Sequence, residues 1–148
     1  MEKINLKEFK LEDYPLNNFD KVRYGDTDML GHVNSVHFAT FCETGRAVIL
    51  FNPDISVAAE GCTFVIANIN LNYIAEINWP GTVEIGTGII QINNSSLLLG
   101  QSIFQNNKLC ATSETTLVHV SGTPVKSLPL PAKSKEFLKQ YMLKNYSP

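Results

Sequence analysis

Cysteine is scarce in this 148-residue chain: Cys42, Cys62 and Cys110 are the full set. Their spacing fits neither a zinc ribbon nor a redox Cys-x-x-Cys pair, and the number is odd. Reduced thiols in a cytosol are the simplest reading. Charge is scarce as well. Charged residues make up 18% of the chain, below the usual quarter, and the net charge is -2. Without a basic field, broad nucleic-acid binding is not expected. The low charge also points to surface hidden in an oligomer. With 44% hydrophobic residues the chain is not a disordered one. No apolar run approaches the roughly 18 residues of a membrane span. The opening MEKINLKEFKLEDYP has no apolar signal core and no small-residue cleavage site. The expected location is therefore cytoplasmic. Repeats and low-complexity segments are missing, so residues 1–148 read as one domain, at roughly 150 residues per domain. A chain of this size buries about two-thirds of its unfolded surface and needs no staples.

What is present is a run of readable periods. Residues 1–16 alternate charge and apolar groups without a clear period and read as an N-terminal arm. Asn18–Tyr24 alternates weakly, as a short strand does. A long helix is predicted from Asn34 or Ser35, both good N-caps, to Phe51, where Asn52-Pro53 stops it. Its length is about 25 Å. Val36, Phe38, Ala39, Phe41, Cys42 and Ala47 to Phe51 cover most of its circumference, which predicts a buried helix. From Thr63 the chain alternates for fifteen residues. Val65, Ala67, Ile69, Leu71, Tyr73, Ala75 and Ile77 fall on one face, and Asn68, Asn70, Asn72 and Glu76 on the other. Trp79-Pro80-Gly81 turns the chain into a strand over Val83–Ile92. Asn93-Asn94-Ser95 turns it again into Ser96–Phe104. Asn106-Asn107 is a hairpin signal, because Asn tolerates positive φ, and Lys108–Val120 follows. A Pro-rich link, Thr123–Pro131, leads to a short C-terminal helix within 133–146, from Ser134 to Lys144. Short hairpins make neighbouring strands antiparallel. The sum is an α+β hot-dog fold, an antiparallel sheet wrapped around one long central helix.

Three motifs compete between Tyr24 and Arg46. Asp26, Asp28 and Gly31 fit positions one, three and six of a calcium loop. Position five is Leu30 and position twelve His37, so two side-chain ligands are missing, and no helix precedes the loop. His32 and His37 lie five apart, which turns their rings about 140° from each other on a helix. Zinc pairs want a spacing of four. His119 is remote, and His37 and His119 read as ordinary buried or interfacial histidines. No metal is expected. The third motif is Asp28, a few residues before the helix start. It caps the loop, or it works with the free N–H donors and positive end of the helix as a carboxylate beside an oxyanion site. The second option suits attack on a carbonyl.

The stretch VRYGDTDMLGHVNSVHFATFCETGR, Val22 to Arg46, resembles the signature of hot-dog acyl-CoA thioesterases of the 4-hydroxybenzoyl-CoA thioesterase-like family. The matching residues are Tyr24, Asp26-Thr27-Asp28, Gly31-His32-Val33-Asn34, Phe38, Phe41, Glu43 and Arg46. NYIAEINWPGTVEI and NNSSLLLGQSIF resemble later segments of the family, and the similarity covers about residues 18–130. It implies thioester hydrolysis with Asp28 as the catalytic carboxylate, acting as nucleophile or as general base on water. It places the oxyanion N–H groups near Asn34 and Ser35, close backbone approach at Gly31, and an orienting role at His32 or Asn34. Two departures stand out. Ser35 replaces the usual second Asn, and Phe38 the usual Tyr. Glu43 and Arg46, three apart on the helix, read as an ion pair. Secondary roles for Tyr24 or Glu43 stay open.

The resemblance further implies a homodimer or homotetramer with the site between protomers. No cofactor is expected, coenzyme A being part of the substrate. Lys108, Lys126 and the C-terminal Lys cluster are the candidates to meet its phosphates. Two rival readings are a non-catalytic hot-dog acyl-binding protein and a thioesterase acting on acyl-carrier protein.

Overall fold

A computed structural model describes residues 5–143. Strand β1 (Leu16–Val22) leads through a loop into helix α1 (Val36–Leu50). Four long strands follow: β2 (Cys62–Tyr73), β3 (Gly81–Ile92), β4 (Ser96–Gln105) and β5 (Lys108–Ser121). A two-residue strand β6 (Lys126–Ser127) and a short helix α2 (Ala132–Leu138) complete the order. The sheet is antiparallel with order β1-β3-β4-β5-β2, and β6 pairs with β5. Strand β6 lies within the segment that reads as a Pro-rich link, so that link is partly paired to the sheet. The hairpins form where turn chemistry predicts them. Asn106 and Asn107 take φ of 51° and 63°, and Asn93 donates from its N–H to the Ser96 carbonyl at 2.8 Å.

Helix α1 lies over β1, β3 and β4. Its buried face repeats at helical spacing: Phe38, Phe41, Cys42, Gly45, Arg46 and Ile49. The expectation of burial all round is corrected here. Val36, Val48 and Phe51 are exposed, because the sheet covers the helix from one side only. The contact is tight at Gly45. A Cβ there would sit 2.7 Å from Gln101 Nε2 and Ile85 Cγ2 and 2.8 Å from Thr87 Oγ1. Gln101 Nε2 in turn donates to the Cys42 carbonyl at 2.8 Å and to Thr87 Oγ1 at 2.9 Å. This buried polar layer separates an apolar cluster around Phe38 and Phe41 from a second one around Ile49, Leu97 and Leu138.

The uninterrupted alternation expected across Thr63–Ile77 is also corrected. Register shifts between Ile66 and Asn68, so Ala67 is an extra residue and side-chain parity flips. Phe64 faces the core before the bulge and Leu71 after it, so Val65 and Leu71 do not share a face. The strand ends at Tyr73, where Ile74 and Ala75 both donate to the Cys110 carbonyl. β2 is an edge strand with Val65, Ile66, Ile69 and Tyr73 exposed.

The expected N-terminal arm covers the outer face of the sheet. It forms two 3-10 turns, Leu6–Glu8 and Leu11–Asp13, and buries Leu6 and Tyr14 in a third cluster with Ile90, Phe104 and Leu143. Tyr14 lies on Gly86, where a Cβ would meet its ring at 2.3 Å. Strand β1 begins at Leu16 and stops at Val22, and Tyr24 belongs to a 3-10 turn, Tyr24–Asp26. The C-terminal helix is shorter than expected: α2 gives way to a 3-10 turn at Lys139–Tyr141. The ends of those two expectations, at 1–4 and 144–146, lie outside the described residues. Among the described residues no helix is long and apolar enough to cross a membrane.

The close approach at Gly45 gives a stability test. Gly45→Ala forces Gln101, Ile85 or Thr87 to move, at a cost of about 1–3 kcal/mol. Urea unfolding checks it: the midpoint drops at constant slope. An unchanged midpoint contradicts the packing.

Candidate active site

The loop between β1 and α1 is shaped by a buried acid. Asp26 is 2% exposed. Its carboxylate accepts from the Arg23 backbone N–H at 2.9 Å and from Arg23 Nη2 at 3.2 Å, and His37 Nδ1 lies 3.8 Å away. Burial alone would raise its pKa; these donors and charges outweigh that and hold it below the ordinary value of 3.8. The Asp26 carbonyl accepts from the Asn34 N–H at 2.8 Å, and the Asp28 N–H donates to the His32 carbonyl at 2.9 Å. The loop therefore doubles back on itself and delivers the chain to the helix. Gly31, at φ +81°, makes the reversal at its tip, where a side chain would be strained. The Asp28 carboxylate accepts from the Leu30 N–H at 2.8 Å, an Asx-turn.

Between this loop, the start of α1 and the end of β2 lies an open cleft of about 400 Å³. Asp28, His32 and Ser35 supply its polar side, and Val33, Phe38, Tyr73, Ile74 and Ala75 its apolar wall. Glu76 stands at the rim, with its Oε2 against His32 Nε2. The Tyr73 hydroxyl donates to the Ser35 carbonyl at 3.1 Å. Asn34 acts as the cap: its Oδ1 accepts from the Val36 N–H at 3.3 Å, while Ser35 is already helical at φ -52°, ψ -31°. Among the described residues the Ser35 N–H has no hydrogen-bond partner. A free N–H at a helix start, in a residue that shares a cleft with a carboxylate, is an arrangement that can act on a polarised carbonyl.

The structure gathers only some of the residues that the sequence nominates. Asp28, His32 and Ser35 share the cleft; Gly31 and Asn34 shape its frame. Tyr24 points elsewhere, edge-on to Trp79 at 5.1 Å between ring centroids, and is 71% exposed. Glu43 does not line the cleft. It is exposed, 3.9 Å from the buried Arg46, whose pKa burial lowers. Cys42 is buried in the core, and burial pushes its thiol up to about 11. His32 and His37 are engaged separately, with Glu76 and Asp26. His119 is fully buried: Nε2 accepts from the Ala59 N–H at 3.1 Å, which leaves Nδ1 to donate to the Leu128 carbonyl at 2.9 Å. Among the described residues no three His, Cys, Asp or Glu side chains are placed to hold a metal ion. Lys108 and Lys126 do not line the cleft, and Lys139 pairs with Glu136 at 2.8 Å. Sequence reasoning does not single out Tyr73, Ile74 or Glu76. Glu76 carries one local signal, being the sole charge in the run Thr63–Ile77. A second cleft, about 440 Å³, lies between the arm and the β4–β5 hairpin, lined by Phe9, Lys10, Leu11 and Phe104 among others.

Residues 22–140 match the pattern of the thioesterase-like superfamily. The long-chain acyl-CoA thioesterase FadM of Escherichia coli is 30% identical over 124 residues, 81% of this chain and 94% of that protein. The acyl-CoA thioester hydrolase YbgC of Escherichia coli O6:H1 is 30% identical over 115 residues, 75% of this chain and 86% of that one. Among solved structures, a thioesterase from Thermus thermophilus complexed with coenzyme A and Zn superposes with a TM-score of 0.75 at 29% identity, over 86% of this chain and 95% of that chain. The PA5185 protein of Pseudomonas aeruginosa gives 0.82 at 20% identity, over 93% and 98%, a likeness of fold.

The depressed pKa of Asp26 sets a pH signature. Its contribution to stability is complete above the ordinary aspartate value and is lost as pH falls through the lower folded value. Parental protein therefore exceeds Asp26→Asn in stability at about pH 6, and the gap narrows below about pH 4. Denaturant midpoints across that range check it; a gap independent of pH contradicts it.

Proposed function

This chain belongs to the thioesterase-like superfamily, and on that premise we propose that it is an acyl-CoA thioester hydrolase working at the Asp28 cleft. The observation that carries this reading is one juxtaposition. Asp28, Ser35 and an apolar wall meet in a single open cleft at the start of α1, and among the described residues the Ser35 N–H has no hydrogen-bond partner. In the proposed reaction the thioester carbonyl oxygen faces the helix start, where the N–H donor and the helix dipole favour the negative charge that develops there. Asp28 then acts in one of two ways. As general base it takes a proton from water, and the hydroxide adds to the carbonyl carbon. As nucleophile it adds directly and water cleaves the resulting anhydride. Either way the carbon–sulfur bond breaks, and coenzyme A leaves as a thiolate stable enough to need little acid help.

The neighbouring residues have supporting roles in this proposal. Asn34 fixes the helix start by its cap bond. Gly31 permits the loop reversal that aims Asp28. The His32–Glu76 pair ties the loop to the end of β2, across the cleft mouth. The group supplied by coenzyme A belongs to the substrate, and no further cofactor is part of the reading. The cytoplasm, as a reducing compartment, suits the three free thiols.

Assembly belongs to the proposal too. The β2 edge and the open face of α1 together leave Val65, Ile66, Ile69, Val36 and Val48 exposed. A second copy docked there would hide an unpaired edge and make α1 central to a complete hot-dog arrangement. Light scattering on the eluting protein is expected to give at least twice the 16.4 kDa chain mass. A monomer contradicts it.

Thiol release from a panel of acyl-CoAs tests the activity. Parental protein hydrolyses at least one member above the blank. Asp28→Asn stays folded and loses ~10²–10⁴ in rate. Parental rates in that variant remove Asp28 from the mechanism. Turnover of acyl-carrier-protein thioesters alone, or binding with no turnover, replaces the acyl-CoA hydrolase reading with one of its two rivals.

A further inference from the structure

We propose that this cleft selects compact acyl groups, a short aliphatic chain or a single ring, and that Tyr73 and Phe38 set the limit. The inference rests on the acyl-CoA reading and adds a substrate class to it. An acyl group entering past Asp28 meets Phe38, which is 4% exposed and belongs to the inner core. Tyr73 stands against it with ring centroids 5.1 Å apart at 64°. The Tyr73 ring is anchored at both ends. Its backbone is the last residue of β2, and its hydroxyl donates to the Ser35 carbonyl at the helix start. It thus bridges strand and helix and forms part of the cleft's apolar wall beside Phe38.

The space behind the pair is taken. Phe38 packs in one core cluster with Phe41, Cys42 and Ala111, which are 3%, 2% and 0% exposed. One turn further along α1 lies the polar layer, where Gln101 Nε2 bonds the Cys42 carbonyl and Thr87. An apolar tail pushed that far would strip these buried hydrogen bonds of their partners, a cost that burial of methylenes does not readily offset. The part of the cleft that one chain supplies, about 400 Å³, is near the small end of ligand sites, and it must also hold the thioester and the end of the coenzyme A arm. What fits in front of Tyr73 is a few carbons, or a ring lying against the two aromatic side chains.

Thiol-release kinetics on the full chain with butyryl-CoA, phenylacetyl-CoA and dodecanoyl-CoA test the limit. The parental protein is expected to favour the better of the two compact substrates over dodecanoyl-CoA by at least about tenfold in kcat/KM. Tyr73→Ala opens the wall and narrows that ratio about tenfold, chiefly through KM for dodecanoyl-CoA. Tyr73→Phe keeps the ring and keeps the parental ranking. Should Tyr73→Ala fail to fold by circular dichroism, Phe38→Leu tests the other wall with the same expected narrowing. Equal or better parental turnover of dodecanoyl-CoA overturns the proposal. So does an unchanged ranking in the folded opened variant. If no acyl-CoA is hydrolysed, the hydrolase reading fails by itself. Calorimetry with the same three thioesters then decides the size limit: tighter binding of a compact one supports it, and tighter binding of dodecanoyl-CoA overturns it.

Discussion

A carboxylate taken out of water must find donors, and Asp26 finds them in Arg23, through both the backbone N–H and the guanidinium. That satisfied acid sits under the loop and holds it to the helix start, where the Asp26 carbonyl takes the Asn34 N–H. Two residues further on, Asp28 is left outside the buried pairing and faces the cleft. The two aspartates of one triplet thus have opposite environments. One is buried and saturated, and it fixes geometry. The other is exposed, with one local backbone bond, and its carboxylate is free to meet a substrate.

The same division runs through the packing. Inside the sheet, α1 approaches so closely at Gly45 that there is no room for a methyl group, and Gln101 bonds helix to sheet at that level. Outside, the arm and Leu143 fill a track of glycines at Gly86 and Gly88. β3 and β4 are consequently buried on both faces along most of their length, while β2 at the far edge is mostly uncovered. The most deeply buried part of the sheet therefore lies away from the cleft, and the cleft opens at the uncovered edge. A site at such an edge is open to completion by a second chain, which is why assembly and activity belong to one proposal.

Features with a local cause are legible in the sequence. Asn106 and Asn107 announce a turn because positive φ is tolerated by the residue itself. Asn52-Pro53 marks the end of α1, which closes at Leu50 with Phe51 as its C-cap. The boundaries of β3, β4 and β5 are legible because turn residues frame each of them. Features set by distant partners are not legible. The bulge at Ala67 depends on register against β5 and reverses the inward face of β2. The arm has no period because Leu6 and Tyr14 insert singly into a groove made by other strands. At the site, Asp28, His32 and Ser35 are close in sequence and stand out together. Tyr73 and Glu76 reach the cleft only because the end of β2 passes the helix start, which no local pattern encodes.

In the proposed reaction the acyl thioester binds at the Asp28 cleft with its carbonyl against the helix start. Amide NMR of the Asp28→Asn chain titrated with butyryl-CoA tests it directly. The expected result is a downfield shift of the Ser35 amide proton, with perturbations at Val33, Phe38, Tyr73 and Ile74 and none around Phe9 and Leu109. Saturable perturbation confined to the cleft between Phe9 and Leu109, with Ser35 unmoved, would contradict it.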